Sequence, residues 1–246
     1  MFFVPVLVAA TLVTGTGSTP AVSQTPVSQA SGQIRWGHYA PRYISSLDAA
    51  SSAIPSTANP TVGDNAVATA RTSSSAAKAV ASSVATSNCD GCSGTSTTFQ
   101  VVYFTGTAAT GDNTAAAWSS CTGCTSSAVS VQLVVARRAQ PLTVNNRALA
   151  LNSGCVDCNT SAAAIQFVIA GGSYRELSSQ AKALISEIQA ELADRLQQPA
   201  KNSQRRMAAP EAKALVDDTA ARLSKIIVSA VGGAAVQRNV DVQVGQ

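Results

Sequence analysis

The residues of this chain best suited to chemistry are six cysteines in three Cys-x-x-Cys pairs: Cys89 and Cys92, Cys121 and Cys124, Cys155 and Cys158. A β-turn brings residues i and i+3 within about 7 Å at Cα, inside disulfide reach. The central dipeptides Asp90-Gly91 and Thr122-Gly123 are turn formers, and Val156-Asp157 is less so. Three local structural disulfides are therefore the leading reading, each closed loop contributing about 2 kcal/mol by chain entropy. Two such knuckles could instead supply four thiolates to a tetrahedral zinc, although three pairs leave one over. Thiol–disulfide exchange is the third reading. It wants a low-pKa cysteine at a helix N-terminus, whereas strand patterns follow these pairs and no cation neighbours them.

Other chemistry is poorly provisioned. His38 is the only histidine, which removes most triad and metalloenzyme arrangements. There is no phosphate-binding glycine loop, no dinucleotide fingerprint and no nucleophile elbow. Five carboxylates precede residue 173 (Asp48, Asp64, Asp90, Asp112 and Asp157), two of them inside cysteine corners, so a glycosidase pair is disfavoured. Asn159-Thr160-Ser161 spells a glycosylation sequon. The formal net charge of +4 is too small and diffuse to argue for nucleic acid.

The elements holding the cysteines come from a repeat. Each pair opens the pattern Cys-x-x-Cys-x7-Gln-x-Val, ending in Gln100-Val101-Val102, Gln132-Leu133-Val134 and Gln166-Phe167-Val168. Period-two alternation after each pair marks a strand. Its large face carries Phe99, Val101 and Tyr103, then Val131, Leu133 and Val135, then Ile165, Phe167 and Ile169. Its small face carries the recurrent glutamines. Gln100, Gln132 and Gln166 are expected at equivalent buried positions, because an unpaired buried amide costs about 1–3 kcal/mol and mutual pairing avoids that cost. A polar ligand groove is the competing use. Shorter Ala-rich alternations precede the second and third pairs, at Asn113-x-Ala115-x-Ala117 and Asn146-x-Ala148-x-Ala150. Each unit then reads as a hairpin, and residues 64–84 as a degenerate unit without cysteines. Of the 246 residues 45 are alanine and only 4% aromatic, so the layers must be thin.

The expected fold is α+β: an antiparallel sheet of repeated β-hairpins with Cys-x-x-Cys corners, followed by a C-terminal αα-hairpin. Residues 1–23 read as a signal peptide, with an apolar run too short to span a bilayer and a cleavage site after Ala21-Val22-Ser23. Residues 24–62 form a Ser/Pro/Ala-rich lead-in, 63–172 the repeat β-domain, 173–233 the helical hairpin and 234–246 a tail with a short strand. Arg35, Trp36, His38, Tyr39, Arg42 and Tyr43 interleave aromatics with cations as an interaction patch for glycan or polymer; the plainer reading is that the aromatics dock the lead-in on the domain. In the tail, Ser173-Tyr174-Arg175-Glu176 spells a capping box. Leu184, Ile188 and Leu192 should meet Leu223, Ile226 and Ile227 or the sheet, unless the pair stands out as a coiled coil. Glu191–Arg195 and Asp218–Arg222 are spaced to pair along the helices.

From Cys121 to about Leu196 the chain resembles actinobacterial exported proteins that carry Cys-x-x-Cys, Gln-x-Val, a later Asn-x-Ala-x-Ala-x-Asn-x-x-Cys-x-x-Cys, a further Gln and a charged helical tail. Here these are Cys121/Cys124, Gln132, Asn146 to Cys158, Gln166 and the segment from Ser173. Some members carry the label peptide zinc metalloprotease, which implies zinc and hydrolysis. A zinc protease of the usual kind needs His-Glu-x-x-His, which His38 alone cannot supply. The expectation is an exported structural or interaction protein of the cell envelope or secreted fraction, without evident catalysis or cofactor, with a protein or envelope partner, no nucleic acid and no membrane span after signal removal. The alternative is a zinc-binding envelope protein that holds the metal through the Cys-x-x-Cys pairs, with hydrolytic activity only as the label in the resembling family implies.

Overall fold

Strands one repeat apart in sequence lie side by side, in parallel and in register: Gln100 pairs with Gln132, and Gln132 with Gln166. The computed structural model describes residues 39–136, 141–171, 173–198, 206–232 and 236–246. Its strands are β1 (Arg42–Ile44), β2 (Asp48–Ala53), β3 (Thr61–Thr72), β4 (Ala77–Ser87), β5 (Ser93–Phe104), β6 (Ala109–Ser119), β7 (Thr125–Ala136), β8 (Leu142–Asn152) and β9 (Asn159–Ala170). Helices α1 (Ser179–Gln197) and α2 (Ala209–Val231) follow, and then β10 (Gln237–Val244). Odd-numbered strands and β10 make a six-stranded sheet ordered β1-β3-β5-β7-β9-β10; the even-numbered strands β2-β4-β6-β8 make a four-stranded one. All pairs are parallel except β9–β10.

The chain is thus a β-solenoid of about four turns, which corrects the expected antiparallel sheet of hairpins. The two strands of each unit do not pair with each other. The Cys-x-x-Cys corner carries the chain from the smaller sheet to the larger, and each strand pairs with its own copy in the next coil. Parallel stacking places each repeat position on its equivalent, so the amides, cysteines and valines form columns. Burial of the Val-rich strands on both faces is also what parallel sheets require. Residues 42–53, within the segment read as a lead-in, supply β1 and β2 and complete a first coil. The corner leading from β2 into β3 has no cysteines. A reciprocal backbone pair, Ser56 N to Asn59 O and Asn59 N to Ser56 O, both 3.0 Å, turns the chain there.

The sheets meet through small residues, Ala85, Ala115, Ala117, Ala148 and Ala150 against Ala128, Ala162 and Ala164. The outer face of the larger sheet presents Phe99, Leu133, Ile165 and Phe167, and the helices cover it with Ile185, Leu192, Leu196, Leu223 and Ile227. Each such side chain buried is worth about 1.5–3 kcal/mol. The helices therefore lie on the sheet and are not a free-standing coiled coil. Ile188 is buried and Ile226 packs partly buried against the cluster, whereas Leu184 is 43% exposed. No helix among the described residues is long and apolar enough to cross a membrane.

The capping box at Ser173 does not form. Leu177 is buried and its N–H donates to Tyr103 Oη at 3.0 Å, which holds the segment extended. The Glu176 side chain pairs with Arg71 instead of reaching back. The N-cap is Ser178, whose Oγ accepts from Ala181 N at 3.1 Å. Glu191 pairs with Arg195 at 3.9 Å, but Arg222 also turns to Glu191, at 3.5 Å, and Asp217 takes Lys213.

Candidate functional site

The cysteine corners stack along one side of the solenoid. Cα–Cα separations are 5.4 Å for Cys89–Cys92, 5.9 Å for Cys121–Cys124 and 5.8 Å for Cys155–Cys158, which places each pair within disulfide distance. Backbone bonds run from corner to corner: Gly91 N donates to Thr122 O and Gly123 N to Val156 O, both at 2.8 Å. The Asp90 carboxylate adds a bond from Thr122 N at 2.8 Å. The third residue of each corner has positive φ: 69° at Gly91, 66° at Gly123 and 56° at Asp157. Glycine adopts this region freely, and Asp is among the few others that visit it.

Cys92, Cys124 and Cys158 are almost completely buried, at 1%, 0% and 1% exposure. Acidic side chains occupy two of the corners, at Asp90 and Asp157. Among the described residues, no group of three or more His, Cys, Asp or Glu is arranged to hold a metal ion.

Between the sheets, the glutamines form a ladder. Gln132 Nε2 donates to Gln100 Oε1 and Gln166 Nε2 to Gln132 Oε1, both at 2.7 Å, and all three residues are wholly buried. Gln100 Nε2 ends the ladder on Leu47 O (2.7 Å) and Val80 O (3.1 Å). Gly111 makes room for it: a Cβ there would meet Val134 Cγ2 at 2.7 Å and Gln132 Oε1 at 3.1 Å. A second ladder runs from Asn113 Nδ2 to Asn146 Oδ1 at 2.7 Å. These amides are largely occupied with one another and with backbone carbonyls, while the buried Gln166 Oε1 at the end of the ladder has no partner among the described residues.

Of the interaction patch, Arg35, Trp36 and His38 lie outside the described residues. The Tyr39 ring occupies the space that a side chain at Gly63 would need. Arg42 donates to both carboxylate oxygens of Asp64, at 2.9 and 2.7 Å. Burial alone would raise the Asp64 carboxyl, but hydrogen bonds from Arg42 and Ser52 N, with the Arg42 charge, hold it below the usual range. Tyr43 is 70% exposed. Asn159 of the sequon is buried and its Nδ2 donates to Leu196 O and Gln197 O, which leaves it no freedom to carry a glycan.

Two features had no signal in the linear chain. A cleft of about 420 Å³ opens beside Arg71, Tyr103, Thr105, Tyr174 and Glu176. There Tyr103 and Tyr174 stack at 5.7 Å between centroids, Arg71 lies over the Tyr103 ring at 5.3 Å, and the Arg71–Glu176 pair pins the lead into α1. The second is Gln189 of α1, whose buried Nε2 donates to Thr98 O and Val129 O, both at 2.8 Å, and ties the helix across two strands. No family profile matches the chain, and no curated protein or solved structure matches it.

Proposed function

We propose that this chain is an exported structural or interaction protein of the cell envelope: a rigid solenoid scaffold with no catalytic chemistry of its own. The observation that carries the reading is the column of three cysteine pairs, each within disulfide reach and each hydrogen-bonded to the next corner. Such staples persist in oxidising compartments and are reduced in the cytosol. The buried amide ladders and the Ala-packed sheets support the same reading, since they commit the polar interior to holding the coils together. The test is the intact mass of the purified protein under non-reducing conditions. A mass about 6 Da below the fully reduced form corresponds to three disulfides, two hydrogens lost for each S–S bond formed. Free thiols with bound zinc would overturn the proposal in favour of a zinc-binding envelope protein.

A further inference from the structure

Two stacked sheets have four outer edges, and the chain blunts three of them. At one end of the smaller sheet, the outward Ser52 N–H of β2 is taken by Asp64 Oδ2 at 2.9 Å, while Arg42 occupies Ala50 O at 3.2 Å. At its other end, the Ala148 N–H of β8 is taken by Asp241 Oδ2 at 2.8 Å. In the larger sheet, β1 is only three residues long. Short strands and charged side chains of this kind prevent another strand from adding. The fourth edge is β10, with eight residues paired to β9 on one side only. Among the described residues no side chain takes up an N–H of β10; its Asn239 O receives Asn146 Nδ2 at 3.2 Å.

Above this edge the flank of α2 and β10 form an open groove of about 480 Å³, lined by Ala221, Ser224, Lys225, Val228, Ser229 and Arg238. Its two ionisable lining residues, Lys225 and Arg238, are cationic and exposed. We propose that β10 is a docking edge for an extended segment of another protein, which adds as a strand and places carboxylates at alternate positions toward Lys225 and Arg238. Strand addition draws its affinity from main-chain hydrogen bonds and its specificity from alternate side chains. A second copy of the chain fits less well, because the only carboxylate on β10, Asp241, is committed to Ala148 N.

This site deepens the scaffold reading and rests on it, and one sample tests both. The full-length oxidised chain is titrated against a fluorescent, capped seven-residue peptide alternating threonine and glutamate, at low salt. The expected result is saturable binding, at least tenfold weaker for the threonine–lysine peptide and for a peptide N-methylated along one edge. Reversing the groove charge with K225E and R238E together should invert the preference between the glutamate and lysine peptides, which an unfolded variant cannot do. No binding of the glutamate peptide, equal binding of the N-methylated peptide, an unchanged preference in the reversed variant, or a dimer blocked by the same reversal would each overturn the proposal. The two readings fail separately. A 6 Da mass deficit with no peptide binding removes only the docking edge. Cleavage of the recovered peptide, checked by mass, removes the non-catalytic scaffold.

Discussion

Gln132 stands between its two repeat equivalents and donates its side-chain amide to Gln100 Oε1 at 2.7 Å. It is the only rung bonded on both sides, since its Oε1 receives Gln166 Nε2 at 2.7 Å. Gln132→Leu strands the buried Gln100 acceptor and weakens Gln166, which retains Gly111 O at 3.0 Å. The expected loss is about 2–4 kcal/mol in urea unfolding, from about 1–3 kcal/mol for each group left unpaired. Replacing all three glutamines by methionine should cost less than the sum of the three single changes, because no orphaned amide remains facing another. Additive losses would show that the rungs act independently.

The corners give a test free of packing effects. Nothing lies within 4 Å of a Cβ built on Gly91 or Gly123, yet both have positive φ. Gly91→Ala and Gly123→Ala should each destabilise by about 1 kcal/mol on conformational grounds alone. Asp157 occupies the equivalent place at φ 56°, so Asp157→Gly should stabilise by a few tenths to about 1 kcal/mol. Thermal unfolding of the three variants reads both signs; a destabilised Asp157→Gly would mean that its carboxylate makes a needed bond.

Asp64 links acid to the integrity of the first coils. Burial would raise its carboxyl, but the bonds from Arg42 and Ser52 N outweigh that and leave it lowered. Asp112 behaves alike: burial raises it, while Lys78 and Asn145 bring it lower overall. A carboxyl lowered in the folded state takes up its proton less readily than in the unfolded chain. Its contribution is therefore complete above the unfolded value of about 4 and is lost as pH falls through the folded value. Both groups are partly exposed, so Asp64→Asn should cost at most about 1 kcal/mol at pH 7. The variant should lose less stability than the parent on acidification from about pH 5 to 2. Parallel pH profiles in urea would refute this.

The repeat, the strand faces and the cysteine corners were legible because each rests on residues close in sequence or recurring at one offset. The direction of pairing was not. A hairpin and a solenoid coil both need period-two strands joined by a corner, and the alternation of Phe99, Val101 and Tyr103 is the same in either. The discriminating sign was the like-for-like recurrence of Gln100, Gln132 and Gln166, since parallel stacking superposes equivalents whereas the hairpin would pair an Ala-rich strand with a Val-rich one. The edge carboxylates could not be read at all. Asp241 meets Ala148 from 93 residues away, and only the completed sheets bring them together. Ser173 misled for the opposite reason: its motif is local, but the tertiary bond from Leu177 N to Tyr103 Oη overrides it.

The helical tail carries the largest prediction. It covers Phe99, Leu133, Ile165 and Phe167, which are wholly buried beneath Ile185, Leu192, Leu223 and Ile227. At about 1.5–3 kcal/mol for each large side chain buried, this interface far outweighs the exposed Glu191–Arg195 and Glu191–Arg222 pairs at a few tenths each. Ending the chain after Gly172 also removes β10 and with it the Asp241 cap on Ala148. The fragment would expose an apolar sheet face together with two unprotected strand edges, the combination that drives aggregation. It should be insoluble or oligomeric by light scattering, and Gln189→Leu in the full chain should weaken helix docking by leaving Thr98 O and Val129 O without their side-chain donor. A soluble, cooperatively unfolding fragment would show instead that the solenoid is stable alone and that the helices are an independent arm.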